Sequence, residues 1–302
     1  MARIDNQGHL YQLNSELKTL NSKLLTLLSF FSVQLSEVSK VGRIFSIMSG
    51  KGGVGKSTLS ASLAVYYAQM GKQVALLDGD IGQRCADLML NVQDRVVYDL
   101  GDVADKSCEL KEALLPHPAL PNLSLLAAPQ MLTASDVKRK AMDRIITTLA
   151  EQSDILLLDA PAGIGKGLKN LLGETAEPVI IATPDDVCIR DAERLAALLT
   201  QREEPRPSLV LNRVRPLWVR RGLVTPPDQL ALALDMPLMG VIPESTKIYK
   251  ALLRHETALD CGDKRVAQAI EVIAARLLGA DAPLPEYAPS AMLRFFNRGG
   301  EA

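Results

Sequence analysis

The chain has 302 residues, 47% hydrophobic and 23% charged, with a formal net charge of −1 at pH 7. That balance is ordinary for a globular protein and excludes bulk attraction to nucleic acid or anionic lipid, leaving such binding to a local patch. Its four cysteines, Cys85, Cys108, Cys188 and Cys261, include no C-x-x-C pair, which argues against a zinc or iron–sulfur centre and fits a reducing cytosol.

Residues 1–42 form an N-terminal segment in which Leu10, Leu13, Leu17, Leu20, Leu24, Leu27 and Phe31 recur at alternating spacings of three and four. The pattern predicts a helix with a seam of about three heptads, either a coiled coil or partner helix, or a helix packed on the protein's own body. Its apolar window, "LLTLLSFFSV", is shorter than the roughly 18 residues of a membrane span and too far from the start to read as a secretory signal.

The body, residues 43–279, alternates short apolar runs with helical patterns. Strands are predicted at "RIFSIM" (43–48), "QVALLD" (73–78), "NLSLLAA" (122–128), "DILLLD" (154–159), "PVIIAT" (178–183), "SLVLNR" (208–213) and "LMGVIP" (238–243). Helices are predicted over Ser57–Met70, Ser135–Gln152, Asp186–Gln201 and Lys264–Leu278. Near-continuous apolar strands between helices imply an α/β fold, a mostly parallel sheet with helices on both faces. In such sheets ligands bind beyond the carboxyl ends of the strands, where this chain places its unusual residues.

The first of these, "SGKGGVGKST", follows a strand and opens a helix. Gly50 to Ser57 fits G-x-x-x-x-G-K-S, and the loop Gly50, Lys51, Gly52, Gly53, Val54, Gly55, Lys56, Ser57 and Thr58 is a candidate phosphate cradle. Its backbone N–H groups and the helix N-terminus would face phosphate oxygens. Lys56 would reach the β- and γ-phosphates of ATP and the Ser57 hydroxyl would hold Mg²⁺. Asp159, ending "DILLLD", is the natural second holder of the metal, with "APAG" (160–163) as a loop that senses the γ-phosphate. In "DGDIG", Asp78 and Asp80 are alternate residues of an extended segment, so both could face the metal or the attacking water; Asp78 fits a polar turn equally well. Asp80 is the candidate for positioning water or touching Mg²⁺. Lys51, a second lysine inside the loop, has no role in the simple phosphate motif.

The tail, residues 280–302, contains "SAMLRFFNRGG" after Pro289. Met292, Leu293, Phe295 and Phe296 fall on one arc of a helix, with Arg294 and Arg298 opposite. That fits an interfacial helix on an anionic membrane, or a tail folding its phenylalanines back on the body.

"KGGVGKST" resembles the deviant phosphate loop of the MinD/ParA group of ATPases. "DGDIGQRCADLML", "RVVYDLGDV", "DAPAGIGKG", "ATPDDVCIRDAERL", "LVLNRVRPLWVRRG" and "GVIPES" follow one another in the order of the MinD branch. The resemblance implies that Lys51 crosses a face-to-face dimer to ATP in the partner subunit. It also implies that Asn212, Pro243 and Glu244 recognise adenine. The catalytic set is then Lys51, Lys56 and Asp80, and the metal set Ser57, Asp80 and Asp159. The implied activity is slow ATP hydrolysis, accelerated by a partner, in an ATP-dependent homodimer. The implied partners are a MinC-like division inhibitor, a MinE-like or other topological regulator, and the inner face of the cell membrane; "CIRDAERL" (188–195) resembles the helix through which the family engages its partners, though Arg190, Asp191 and Arg194 fit an ordinary solvated face equally well. A flagellar-placement regulator resembling FlhG and a ParA-like DNA-segregation ATPase are the alternative readings. The first lacks its D-Q-A-x-x-L-R motif here, and nucleic-acid binding has only "RVRPLWVRR" as a weak candidate. Cys85 and Ala86 depart from the more polar pair usual at that place.

Overall fold

The computed structural model describes residues 41–133, 136–165, 168, 176–200 and 206–285. The heptad segment before residue 41 and the amphipathic tail at 290–300 lie outside these residues. In chain order the elements are β1 (Arg43–Met48), α1 (Lys56–Gln69), β2 (Val74–Asp78), α2 (Ala86–Met89), α3 (Leu100–Asp105), α4 (Leu110–Ala113), β3 (Leu114–Pro116), β4 (Leu123–Leu126), α5 (Arg139–Gln152) and β5 (Ile155–Asp159). Then come β6 (Glu177–Ala182), α6 (Asp186–Thr200), β7 (Ser208–Val214), α7 (Pro216–Arg220), α8 (Pro227–Ala233), β8 (Leu238–Pro243), α9 (Thr246–Leu252) and α10 (Lys264–Leu277).

The strands form one sheet in the order β3-β4-β2-β5-β1-β6-β7-β8. Every described pairing is parallel except β3 with β4. The apolar runs are continuous because both faces of the sheet are covered. Along β1, Phe45 and Ile47 pack into a cluster with α1 and α10, whereas Ile44 and Met48 pack into clusters on the other face with α5 and α6. This alternation is the pleat of the strand. α1 is buried along most of its length, and Tyr67 Oη donates to the Ala274 carbonyl of α10 at 3.0 Å.

All seven predicted strands are present, with ends within two residues of the runs that announced them. β3 is an addition: three residues, closed by Pro116, pairing antiparallel at the sheet edge, where proline is tolerated. The long helix predicted from Ser135 begins instead at Arg139.

The register of the central strands sets up the site. β2 lies beside β5 with Asp78 opposite Asp159, and β5 lies beside β1 with Asp159 opposite Ile47. The carboxyl ends of β1, β2 and β5 therefore present the glycine-rich loop and both acidic strand ends to one crevice.

Candidate functional site

Lys56 is the first residue of α1, and its side chain is almost fully buried. Its ammonium donates to Asp159 Oδ1 at 3.0 Å, and lies 3.4 Å from Asp80 Oδ2 and from Ser57 Oγ. Burial alone would lower the Lys56 pKa, but the carboxylates of Asp159 and Asp80 outweigh it and hold the ammonium above its ordinary range. Ser60, one turn along α1, donates to the same Asp159 Oδ1 at 2.9 Å. The second oxygen of Asp159, Oδ2, is buried and has no hydrogen-bond partner. A buried carboxylate oxygen left unpartnered is costly, and a divalent cation or its water would satisfy it. The donor set of Ser57, Asp159 and Asp80 is all oxygen, which suits Mg²⁺.

Asp78 and Asp80 do not share one task. Both oxygens of Asp78 turn towards the following loop, accepting from the backbone N–H groups of Asp80, Cys85 and Ala86 at 3.0 Å each. Asp78 is thus the anchor of the loop after β2, the turn role of the two that its sequence left open. Burial, reinforced by the Asp159 carboxylate, pushes its pKa up to about 7. Asp80 is the one that points at Lys56; burial raises its pKa, with Lys56 opposing. Cys85 and Ala86 contribute backbone N–H groups here, so their unusual side chains leave the anchor intact. The neighbouring Arg84 closes an ion pair with Asp87 at 2.5 Å, fixing the loop to α2.

The phosphate loop is held from three directions. Gly163, in the loop after β5, donates its N–H to the Ser49 carbonyl at 2.8 Å. The Asn212 side-chain amide donates to the Val54 carbonyl at 2.7 Å, and the Arg213 guanidinium donates to the Gly53 carbonyl at 2.9 Å. The third contact is steric, between Gly50 and α6. A Cβ at Gly50 would lie 2.6 Å from Asp191 Cβ and 2.7 Å from its carbonyl carbon, so only glycine fits. Gly55 is constrained twice, by a φ of +99° and by Asn212 Nδ2, which an added Cβ would meet at 2.3 Å.

Beside this loop opens a cavity of about 270 Å³ between β7, β8 and α9. Gly55, Thr58, Asn212, Pro243, Glu244 and Tyr249 are among its lining residues. It adjoins the loop's last glycine and has apolar walls in Leu59, Ile242 and Ile270, dimensions and chemistry that suit a flat heterocycle. Asn212 thus lies between loop and cavity. Its Oδ1 accepts from the Arg213 N–H, which stands at a positive φ of 55°. Glu244 lines the same cavity while ion-paired with Arg215. Tyr249 and the Arg213 clasp are absent from the sequence-derived set, and nothing in their local pattern announces them.

Lys51 stands apart from the rest. It is exposed, and among the described residues it has no hydrogen bond or ion pair. One lysine of the loop is sunk among carboxylates and the other projects outward.

The fold and sequence of this body are shared with known proteins. A ParA family model, described as "NUBPL iron-transfer P-loop NTPase", matches residues 40–278. The septum site-determining protein MinD of Synechocystis is 34% identical over 248 residues, covering 82% of this chain and 93% of that protein. The chain belongs to the MinD/ParA family. MinD of Bacillus subtilis is also 34% identical, over 247 residues, covering 81% of this chain and 92% of its own. Among solved structures, MinD in the MinC:MinD cell division complex of Aquifex aeolicus aligns with a TM-score of 0.75 and 31% identity, over 82% of this chain and 100% of that one. MinD of Pyrococcus horikoshii complexed with Mg-ADP aligns at 0.69 and 28%, over 80% and 100%. The MinD/ParA fold therefore spans the body between the two terminal segments, and the chain is a MinD-like P-loop ATPase.

Proposed function

We propose that the protein is a MinD-like switch that dimerises on binding ATP, attaches to the membrane through its C-terminal segment and recruits a division inhibitor to place the septum. The observation that carries the reading is the contrast between its two loop lysines. Lys56 is committed to the acidic cluster inside the subunit, whereas Lys51 projects into solvent from the loop that would hold the triphosphate. Two triphosphates brought face to face concentrate negative charge, and a lysine supplied from each side offsets it.

In this reading ATP lies along the loop with its base in the cavity beside Asn212, Pro243 and Glu244. The loop N–H groups and Lys56 bind the phosphate chain, and the base is oriented by the Asn212 amide, which among the described residues donates only to the Val54 carbonyl and so has a second N–H to offer. Ser57 and Asp159 would hold Mg²⁺, which neutralises charge on the β- and γ-oxygens. The unpartnered Asp159 Oδ2 supports that assignment. When the phosphates draw Lys56 away, Asp80 loses its cation and is free to orient the attacking water. No covalent intermediate is needed; the chain supplies position and charge.

A MinC-like inhibitor is the partner of choice, since the Aquifex relative was solved in a MinC:MinD complex. A MinE-like or other regulator would act on α6, whose backbone touches the phosphate loop at Gly50. Met292, Leu293, Phe295 and Phe296 would enter an anionic membrane, and pairing two such tails in the dimer raises their avidity.

The deciding experiment is light scattering coupled to gel filtration, with ATP or ADP, on the natural chain and on Lys51→Ala. A dimer with ATP alone, lost in Lys51→Ala, is expected. A monomer under every condition, or a Lys51→Ala dimer as stable as the natural one, would sink the reading.

A further inference from the structure

The segment after Asn212 does more than the nucleotide site requires. From Arg213 to Leu223 it carries four arginines and no acidic residue, in a chain whose net charge is only −1. α7 buries Val219 but leaves Leu217 54% and Trp218 41% exposed, and Leu223 just beyond it is 67% exposed. Trp218 is the chain's only tryptophan. Two of the arginines are occupied: Arg213 with the Gly53 carbonyl, and Arg215 with Glu244, its guanidinium lying 4.0 Å over the indole ring. The other two, Arg220 and Arg221, are exposed and make no side-chain hydrogen bond or ion pair among the described residues.

We propose that this corner is a second contact with an anionic lipid surface, separate from the C-terminal tail. Leu217, Trp218 and Leu223 enter the interfacial layer, and Arg220 and Arg221 pair with headgroup phosphates. Indole favours that boundary because its ring is apolar and its N–H is polar. Arginine keeps its charge among phosphates while its stem covers apolar surface. The Arg215 stack holds the indole in place, so little side-chain freedom is lost on contact. A nucleic acid would use the arginines and one indole face, but would leave the two exposed leucines without a partner.

The topology brings this corner and residues 281–285, from which the chain continues into its tail, to the same edge of the sheet. β8 is the edge strand at the end of the sheet opposite β3. α7 follows the carboxyl end of its neighbour β7, and Arg215 ties that corner to Glu244 just past the carboxyl end of β8. At the amino end of β8, Arg276 donates to the carbonyls of Leu238 and Ala282, fixing the chain where it leaves α10. Leu284, next to the last described residue, packs on the cluster that contains Val219 of α7. The described chain therefore ends near one end of this edge strand and Trp218 lies near the other, about 20 Å away for a six-residue strand. A lipid surface laid along this edge would run from the Trp218 corner to the point where the tail begins.

The proposal deepens the membrane reading above, and the sole tryptophan allows the two to be tested apart. The full chain with ATP is mixed with phosphatidylcholine vesicles with or without phosphatidylglycerol, following both pelleting and Trp218 emission. The expected result is a blue shift, and quenching by lipids brominated in the acyl chain, on the anionic vesicles only. Arg220→Ala with Arg221→Ala is expected to weaken vesicle affinity roughly tenfold to thirtyfold while leaving ATP hydrolysis in solution unchanged. Phe295→Glu with Phe296→Glu should reduce pelleting yet keep the Trp218 shift at high vesicle concentration. Pelleting with Trp218 unmoved would overturn the proposal and leave the tail reading standing. A Trp218 shift with pelleting indifferent to the phenylalanine changes would uphold the proposal and sink the tail. A blue shift caused by ATP before vesicles are added would assign the corner to a contact between copies. Salt-sensitive quenching by an oligonucleotide, with no response to vesicles, would assign it to nucleic acid, and either of these last two results overturns the proposal.

Discussion

Replacing Lys56 with methionine tests whether the acidic cluster depends on its cation even without nucleotide. Methionine keeps much of the side-chain volume, so the change isolates the charge. The Lys56 side chain is 6% exposed, and among the described residues its ammonium is the one cation ion-paired with both Asp159 and Asp80. Removing one partner of a buried ion pair costs about 3–5 kcal/mol, because the remaining charge stays buried and uncompensated. For a domain of this size that is a fall in melting temperature of about 6–20 °C. The deficit should depend on pH. Asp78, already pushed up to about 7, and Asp80, also raised, move further up once the ammonium is gone. A carboxyl whose folded pKa exceeds its unfolded value near 4 stabilises the fold while protonated, and that contribution is lost as pH rises from about 4 through about 7. The Lys56→Met deficit is therefore larger at pH 8 than at pH 5. Urea unfolding without nucleotide and with a chelator present measures it. A deficit under about 1 kcal/mol, or one equal at the two pH values, would refute the electrostatic account.

Three further outcomes follow from single residues. Lys51→Ala removes an exposed side chain that makes no hydrogen bond or ion pair among the described residues and only a distant electrostatic contact with Asp185, so unfolding free energy should stay within about 0.5 kcal/mol while ATP-dependent dimerisation is lost; a large loss of stability would show that Lys51 is held inside the subunit. Gly55→Ala forces a side chain into a left-handed conformation and against Asn212 Nδ2, so ATP affinity by calorimetry should fall at least about tenfold; unchanged affinity would mean that the loop relaxes freely. Asp263 caps α10, accepting from the Arg265 N–H and Ser245 Oγ, and the Arg265 guanidinium holds its carboxyl well below the usual range. Asp263→Ala should cost about 1 kcal/mol at pH 7, with the difference from the natural chain shrinking as pH falls below about 4; a pH-independent difference would contradict it.

The body of the fold was legible because its strands are buried on both faces, so that each reads as an unbroken apolar run such as "ILLLD". β3 was not, since three residues ending in proline carry no periodicity. The phosphate loop was legible because its glycines, lysine and serine act through local backbone geometry. Asp78 was ambiguous for a physical reason: alternation along a strand says which side a carboxylate leaves from, but not whether backbone N–H groups wait there. The amides of Cys85 and Ala86 settle its role, and only the turn of the chain brings them back to it. Asn212 was found through its family setting, yet its bond to Val54 bridges 158 positions of sequence and has no local sign.

The clasp that Asn212 and Arg213 place on the Val54 and Gly53 carbonyls bears on how tightly a nucleotide can bind. A loop with glycines at 50, 52, 53 and 55 would, if loose, have to give up its conformational freedom on each binding event, about 1–2 kcal/mol for every residue ordered. Here the end of β7 freezes part of that loop during folding, and the core that shapes β7 stands behind it. Affinity thus draws on the stability of the whole body. Mutations deep under β7, far from any phosphate, should slow capture and hasten release by loosening a loop they never touch.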